Sequence, residues 1–228
     1  MGLHLQAVAF EVRDAPGVGR FWAELLGREV VPEDDGVLVP GNETQIGLRF
    51  VETETETETG PNRLHLHLTS TDLDDQMRTV RRVEELGGRI IRQVPEEGYV
   101  VMADPGRNEF CVIEPGNQFL EGAGFLAEAT EHGPPEAGRF WSEVLGWPLV
   151  WERDLQTAIQ SPLGGTKLSW DVRTHMRPYG SKRQWFDLVS TGEEDVQRLI
   201  ELGATEIERR DTCLVMTDPG GNEFVVRS

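Results

Sequence analysis

Two hydrophobic rhythms run along the chain. In LQAVAFEV (5–12) and RLHLHLTS (63–70) apolar residues return at every second position, which predicts strands with one buried face. In GRFWAELLG (19–27) they return at helical spacing, at Phe21, Trp22, Leu25 and Leu26, and GRFWSEVLG (138–146) repeats this with Phe140, Trp141, Val144 and Leu145. Each run ends in glycine, the residue that takes the left-handed conformation past a helix end at least cost. DLDDQMRTVRRVEELG (72–87) and GEEDVQRLIELG (192–203) close the same way.

The Leu-Gly ends fall at 27, 87, 146 and 203, so the gaps are 60, 59 and 57 residues. Four units follow, each a strand, a helix and three short strands: βαβββ, four times over. A single unit leaves its sheet half covered, so units are expected to pair. The second and fourth units share a turn, Asp-Pro-Gly-x-Asn-Glu-Phe-x-Val, at 104–112 and 218–226, an offset of 218 − 104 = 114, half the 228 residues. Proline presets one torsion there and glycine permits another. The expected architecture is α+β: two tandem domains, 1–116 and 117–228, each pairing two βαβββ modules into a curved mixed sheet with helices outside. The acidic run ETETETETG (52–60) and RTHMRPYGSKR (173–183) read as connectors between units.

Composition narrows the function classes. Hydrophobic residues make up 38% of the chain, with nine Phe and six Trp, enough for packed cores. The net charge of −18 repels phosphate backbones and anionic lipid, so neither nucleic acid nor membrane is an expected partner. No apolar stretch reaches the length of a membrane helix, and the N-terminus lacks a signal-peptide pattern. Cys111 and Cys213 both sit in strand-like runs and make no disulfide framework, so a cytoplasmic protein is expected.

Strand parity sorts side chains onto two faces. Leu64, Leu66 and Leu68 suit packing under helices, which leaves His65 and His67 on the other face. Phe110 and Val112 go with the leucines, leaving Cys111 with the histidines. Val8, Phe10 and Val12 leave Glu11, while Ile46, Leu48 and Phe50 leave Gln45 and Arg49. The first domain is therefore expected to carry Gln45, Arg49, Glu11, His65, His67 and Cys111 around one cup. Two readings of the histidines stand open. With Cys111 they form a donor set suited to Zn²⁺, or they hydrogen-bond within a pocket that Cys111 lines as a small apolar residue. Glu11 is either a general base with a raised pKa or the ion-pair partner of Arg49.

The combined pattern resembles the vicinal-oxygen-chelate superfamily of glyoxalase I, extradiol dioxygenases and bleomycin-resistance proteins, and within it the glyoxalase-like domain subgroup. Arg20-Phe21-Trp22 with Leu26-Gly27, Asn62-Arg63-Leu64-His65-Leu66, and Ala103-Asp104-Pro105 with Asn108-Glu109-Phe110-Cys111-Val112 carry the likeness. Arg139-Phe140-Trp141, Leu145-Gly146 and Asp218-Pro219-Gly220-Gly221-Asn222-Glu223-Phe224 repeat it. The resemblance implies metal ligands at Ala7, His65 and Cys111, and in the second half at Gly124, Trp185 and Val225, so the family's usual metal set is incomplete. It further implies that an acid stands at Glu11, matched by Glu128, and that the subgroup's usual Asp is His67 here but Asp187 in the second half. Trp185 at a cup-facing position either fills the cup or stacks on a planar ligand.

The resulting expectation is a small-molecule binder using the cup of the first domain without a metal, and with no cofactor. In it His67, Gln45, Cys111, Glu128, Trp185 and Asp187 are ligand contacts. The alternatives are a glyoxalase-type lyase or isomerase, metal-dependent or using Glu11 or His65 as base with Arg49 stabilising the oxyanion, and an antibiotic-sequestering protein of the bleomycin-resistance type. Monomer and homodimer are both compatible with exposed sheet edges.

Overall fold

A computed structural model describes residues 2–54, 63–93, 96–172 and 183–227. Most of both predicted connectors, 55–60 and 173–182, lies outside the described residues. Module one comprises β1 (His4–Val12), α1 (Ala15–Leu26), β2 (Val31–Glu33), β3 (Gly36–Val39) and β4 (Gly47–Glu52). Module two comprises β5 (Leu64–Leu68), α2 (Leu73–Glu85), β6 (Arg89–Gln93), β7 (Val100–Ala103) and β8 (Glu109–Val112). A 3-10 turn at Gln118–Leu120 leads to module three: β9 (Leu126–His132), α3 (Pro135–Leu145), β10 (Leu149–Arg153), β11 (Gln156–Gln160) and β12 (Lys167–Asp171). Module four comprises β13 (Gln184–Val189), α4 (Glu193–Glu201), β14 (Thr205–Arg209), β15 (Cys213–Thr217) and β16 (Glu223–Arg227). The four βαβββ modules of the sequence are all present. Gly27 and Gly146 end their helices in the left-handed conformation, both at φ 66°. Among the described residues no helix is long and apolar enough to cross a membrane.

The modules pair differently from their order in the sequence. One eight-stranded sheet runs β14-β15-β16-β13-β1-β4-β3-β2, joining modules one and four; the other runs β10-β11-β12-β9-β5-β8-β7-β6, joining modules two and three. Each module exposes its first strand at an open edge, and first strands meet antiparallel, β1 on β13 and β5 on β9. The expectation that consecutive modules share a sheet is corrected here. The physical reason lies in what module two packs against. Trp22 on α1 meets Phe110 on β8 edge-to-face, with ring centroids 4.9 Å apart, so module two covers the helix side of module one and cannot also extend its sheet.

The apolar faces of both sheets consequently share a single core, in which Phe10, Leu48, Leu66 and Phe110 join Trp22 and Trp141. The alternate, polar faces point away from that core. Helices approach closely because glycine stands at the contact: a methyl group on Gly19 would collide with Val37, and on Gly138 with Thr157. This accounts for the repeated GRFW.

The repeated turn has a matching role. The Trp22 indole donates to Asp104 Oδ2 at 2.9 Å, and the Trp141 indole to Asp218 Oδ2 at 3.1 Å. Each aspartate also accepts from the backbone N–H of its turn's asparagine, Asn108 or Asn222, at 2.9 Å. The motif latches the turn of one module to the helix of the module before it. Trp22→Phe removes the donor and leaves a fully buried carboxylate short of one partner, so a loss of roughly 2–3 kcal/mol is expected in urea unfolding. A loss below about 0.5 kcal/mol would show that the latch is ornamental.

Candidate active site

A transverse row of side chains crosses the polar face of the β5–β12 sheet. Cross-strand pairing sets Val101 beside Cys111, Cys111 beside His67, His67 beside Glu128, and Glu128 beside Lys167. These residues come from β7, β8, β5, β9 and β12, so two modules are needed to complete the row. A cavity of about 520 Å³ opens over it. His65, His67, Cys111, Glu128 and Thr130 line it together with Arg92, Glu109, Gln156 and Asp171, and Ile91, Tyr99, Val101 and Ile113 add apolar surface.

His67 is the centre. Its Nδ1 lies 2.5 Å from Glu128 Oε2, and its ring also hydrogen-bonds Cys111. Burial works against a charged imidazole here, but the Glu128 carboxylate and the bond to Cys111 outweigh it, and the pKa is pushed up to about 10. His67 is therefore an imidazolium at neutral pH. Glu128 is itself held by the Ser169 hydroxyl, which donates to its other oxygen. Lys167 donates to the Phe119 carbonyl and lies over the Phe119 ring, and burial lowers its pKa while Glu128 and Glu121 oppose the drop. The site thus pairs a carboxylate, a charged imidazole and a thiol against a hydrophobic wall.

The other sheet answers with different chemistry. Its equivalent row is Val215, Val225, Asp187, Ala7 and Gly47. Valine stands for Cys111, aspartate for His67, alanine for Glu128 and glycine for Lys167. Arg49, buried at 3% exposure, pairs with Glu33 at 2.7 Å and with Asp187, and takes Gln6 as a third partner at 2.9 Å. Arg227 reaches Asp187 at 3.0 Å and Asp35 at 3.6 Å. This is a closed ion network tying β2, β4, β13 and β16 together.

The expected single cup is therefore corrected: its residues divide between the two sheets. His65, His67, Cys111 and Glu128 come together on one sheet; Glu11, Arg49, Trp185 and Asp187 lie on the other. Arg49 takes Glu33 and Asp187 as its carboxylates. Trp185 shares a row with Ala9 and Arg49. Gln45 does not line the cavity, because β4 begins only at Gly47. Its amide instead donates to the Ala123 carbonyl at 2.9 Å and accepts from the Leu126 N–H at 2.9 Å, a bridge between modules one and three. Lys167, Ser169 and Thr130 escaped sequence reading, although KLSWD alternates Lys167 and Ser169 with Leu168 and Trp170 as RLHLHLTS does.

The donors do not fit the metal set that the resemblance implies. Ala7, Trp185 and Val225 offer no metal donor. On the other sheet His67 is engaged by Glu128 at 2.5 Å. Among the described residues no group of three or more His, Cys, Asp or Glu side chains is arranged to hold an ion.

The profile of a family described as "Glyoxalase-like domain" matches residues 7–113 and again 128–227. No curated protein matches the chain in sequence. Among solved structures, glyoxalase I from Zea mays is 14% identical with a TM-score of 0.65, covering 99% of this chain and 92% of that one. The V278E mutant of the same enzyme is 14% identical with a TM-score of 0.68 over 99% of this chain and 92% of that chain. A Bacillus subtilis protein named as a dioxygenase candidate is 14% identical with a TM-score of 0.61, covering 99% and 85%. At this identity the likeness concerns the fold.

Proposed function

The chain belongs to the glyoxalase-like domain family, and from that premise we propose that it binds a small organic molecule in the hollow of the β5–β12 sheet, without a metal. The observation that carries this reading is the cavity of about 520 Å³, a volume typical of small-molecule sites, with an apolar wall on one side and the His67–Glu128 pair on the other. Such a hollow accepts a hydrocarbon or aromatic body while the imidazolium donates to a carbonyl or similar oxygen. Binding is favoured over a lyase or isomerase with Glu11 or His65 as base and Arg49 as oxyanion donor, because Glu11 and Arg49 stand on a different sheet from His65.

A substitution borrowed from the other sheet tests this. His65 shares a row with Thr130 and Ser169, as Trp185 does with Ala9 and Arg49, so His65→Trp places on one sheet what the other already holds. Thermal shift and ligand-observed NMR against a set of small ketones, aromatic carboxylates and amides should find saturable binding to the parent protein that His65→Trp abolishes. Absence of binding across the set, or binding indifferent to His65→Trp, would contradict the reading.

A further inference from the structure

Cys111 is the least explained member of the site. It lies on the cavity wall, its sulfur hydrogen-bonded to His67, within a small apolar cluster with Val101, Ile113 and Tyr99. A carboxylate, an imidazole and a thiol stand consecutively on adjacent strands: the acid fixes the ring, and the charged ring beside the sulfur is placed to give a proton to what the sulfur attacks. The matching row of the other sheet carries Val225, Asp187 and Ala7, so the arrangement belongs to one sheet alone.

We propose that Cys111 is a nucleophile that captures α,β-unsaturated carbonyl compounds, with His67 as the proton donor and Glu128 as the residue that positions it. This deepens the proposed binding function and rests on it. Sulfur is soft and polarisable and attacks the conjugate carbon. The S–Cβ bond forms, the C=C π pair moves toward the carbonyl, and negative charge gathers on the oxygen. His67 gives that oxygen a proton, the enol returns to the ketone, and the thiol's own proton restores His67. The sum is S–H added across C=C, so no oxidant, reductant or metal is required. The reverse sequence releases the compound. Ile91, Tyr99, Val101 and Ile113 supply a wall for the hydrocarbon tail.

The chain contains its own control. Its other thiol, Cys213, is more exposed than Cys111, which is 8% exposed, so simple accessibility would label Cys213 first. The experiment treats the whole protein with 3-nonen-2-one and follows adducts by intact mass and peptide mapping, while the saturated 2-nonanone reports binding without reaction. We expect one adduct at Cys111 before any at Cys213, lost in Cys111→Ser and slowed about a hundredfold in His67→Asn. Glu128→Gln should give the rate a titration near neutrality that the parent protein lacks, a change that loss of packing alone does not produce. A native-like circular-dichroism spectrum and cooperative thermal unfolding show that the variants are folded. If 2-nonanone binds but the enone labels Cys213 first, or neither thiol, the nucleophile is overturned while the binding site stands. If neither compound binds and no adduct forms, both fall.

Discussion

Asp187→Ala is expected to lower the unfolding free energy by about 3 kcal/mol in urea titration, among the largest effects of any single polar substitution in the chain. Asp187 is fully buried and serves two guanidinium groups, Arg49 at 3% exposure and Arg227. Removing it strands positive charge in the sheet, with Glu33 and Asp35 only partly compensating. The contrast is Glu24→Gln: its partner Arg82 lies 3.3 Å away, but both side chains are about half exposed, so a change within about 0.5 kcal/mol is expected. Because Asp187 lies on the opposite sheet, ligand binding at the β5–β12 sheet should survive at temperatures where the variant remains folded. A loss under about 1 kcal/mol would mean that the network is no better than a surface pair.

A second large effect is set by pH. His67 keeps its proton up to about 10 in the folded chain, whereas an unfolded imidazole gives it up near 6.5. Between those values the folded state binds more protons than the unfolded one, so stability falls as pH rises, by about 1.4 kcal/mol per unit at most. The contribution is complete below pH 6.5 and gone above 10. Asp104, Glu131 and Asp218 have carboxyls raised chiefly by burial, so they also lose stability with rising pH, beginning in the acid range. The difference between the parent protein and Glu128→Gln isolates the histidine. We expect the parent to lose on the order of a few kcal/mol more than Glu128→Gln between pH 6.5 and 10 by chemical denaturation. Parallel curves would show that Glu128 does not hold the charge on His67.

Much of this molecule can be read from its residues in one dimension. Period-two and helical spacing gave the modules, the Leu-Gly ends gave the helix termini, and parity put His65, His67 and Cys111 on one face. Parity assigns a face but not a partner, and that is where sequence reading stopped. Whether β1 pairs with β5 or β13 is decided by which surfaces α1 and β8 bury, a long-range choice that no local pattern encodes. Hence Glu11 and Arg49 were drawn onto the wrong sheet, while Glu128, 61 residues from His67, proved to be its ion-pair partner. Gln45 was misplaced by a shorter error, since the strand it was counted on starts two residues later at Gly47.

Modules from the two halves of the sequence complete one site, in which Glu128 holds His67 as an imidazolium beside Cys111. Histidine-selective ¹⁵N NMR of the full chain, recorded across pH for the parent protein and Glu128→Gln, tests it most directly. Both ring nitrogens of His67 are expected to remain protonated at pH 8.5 in the parent and to titrate several units lower in the variant. A His67 ring that is neutral at pH 8.5, or that titrates identically in the two proteins, would place Glu128 elsewhere and dissolve the shared site.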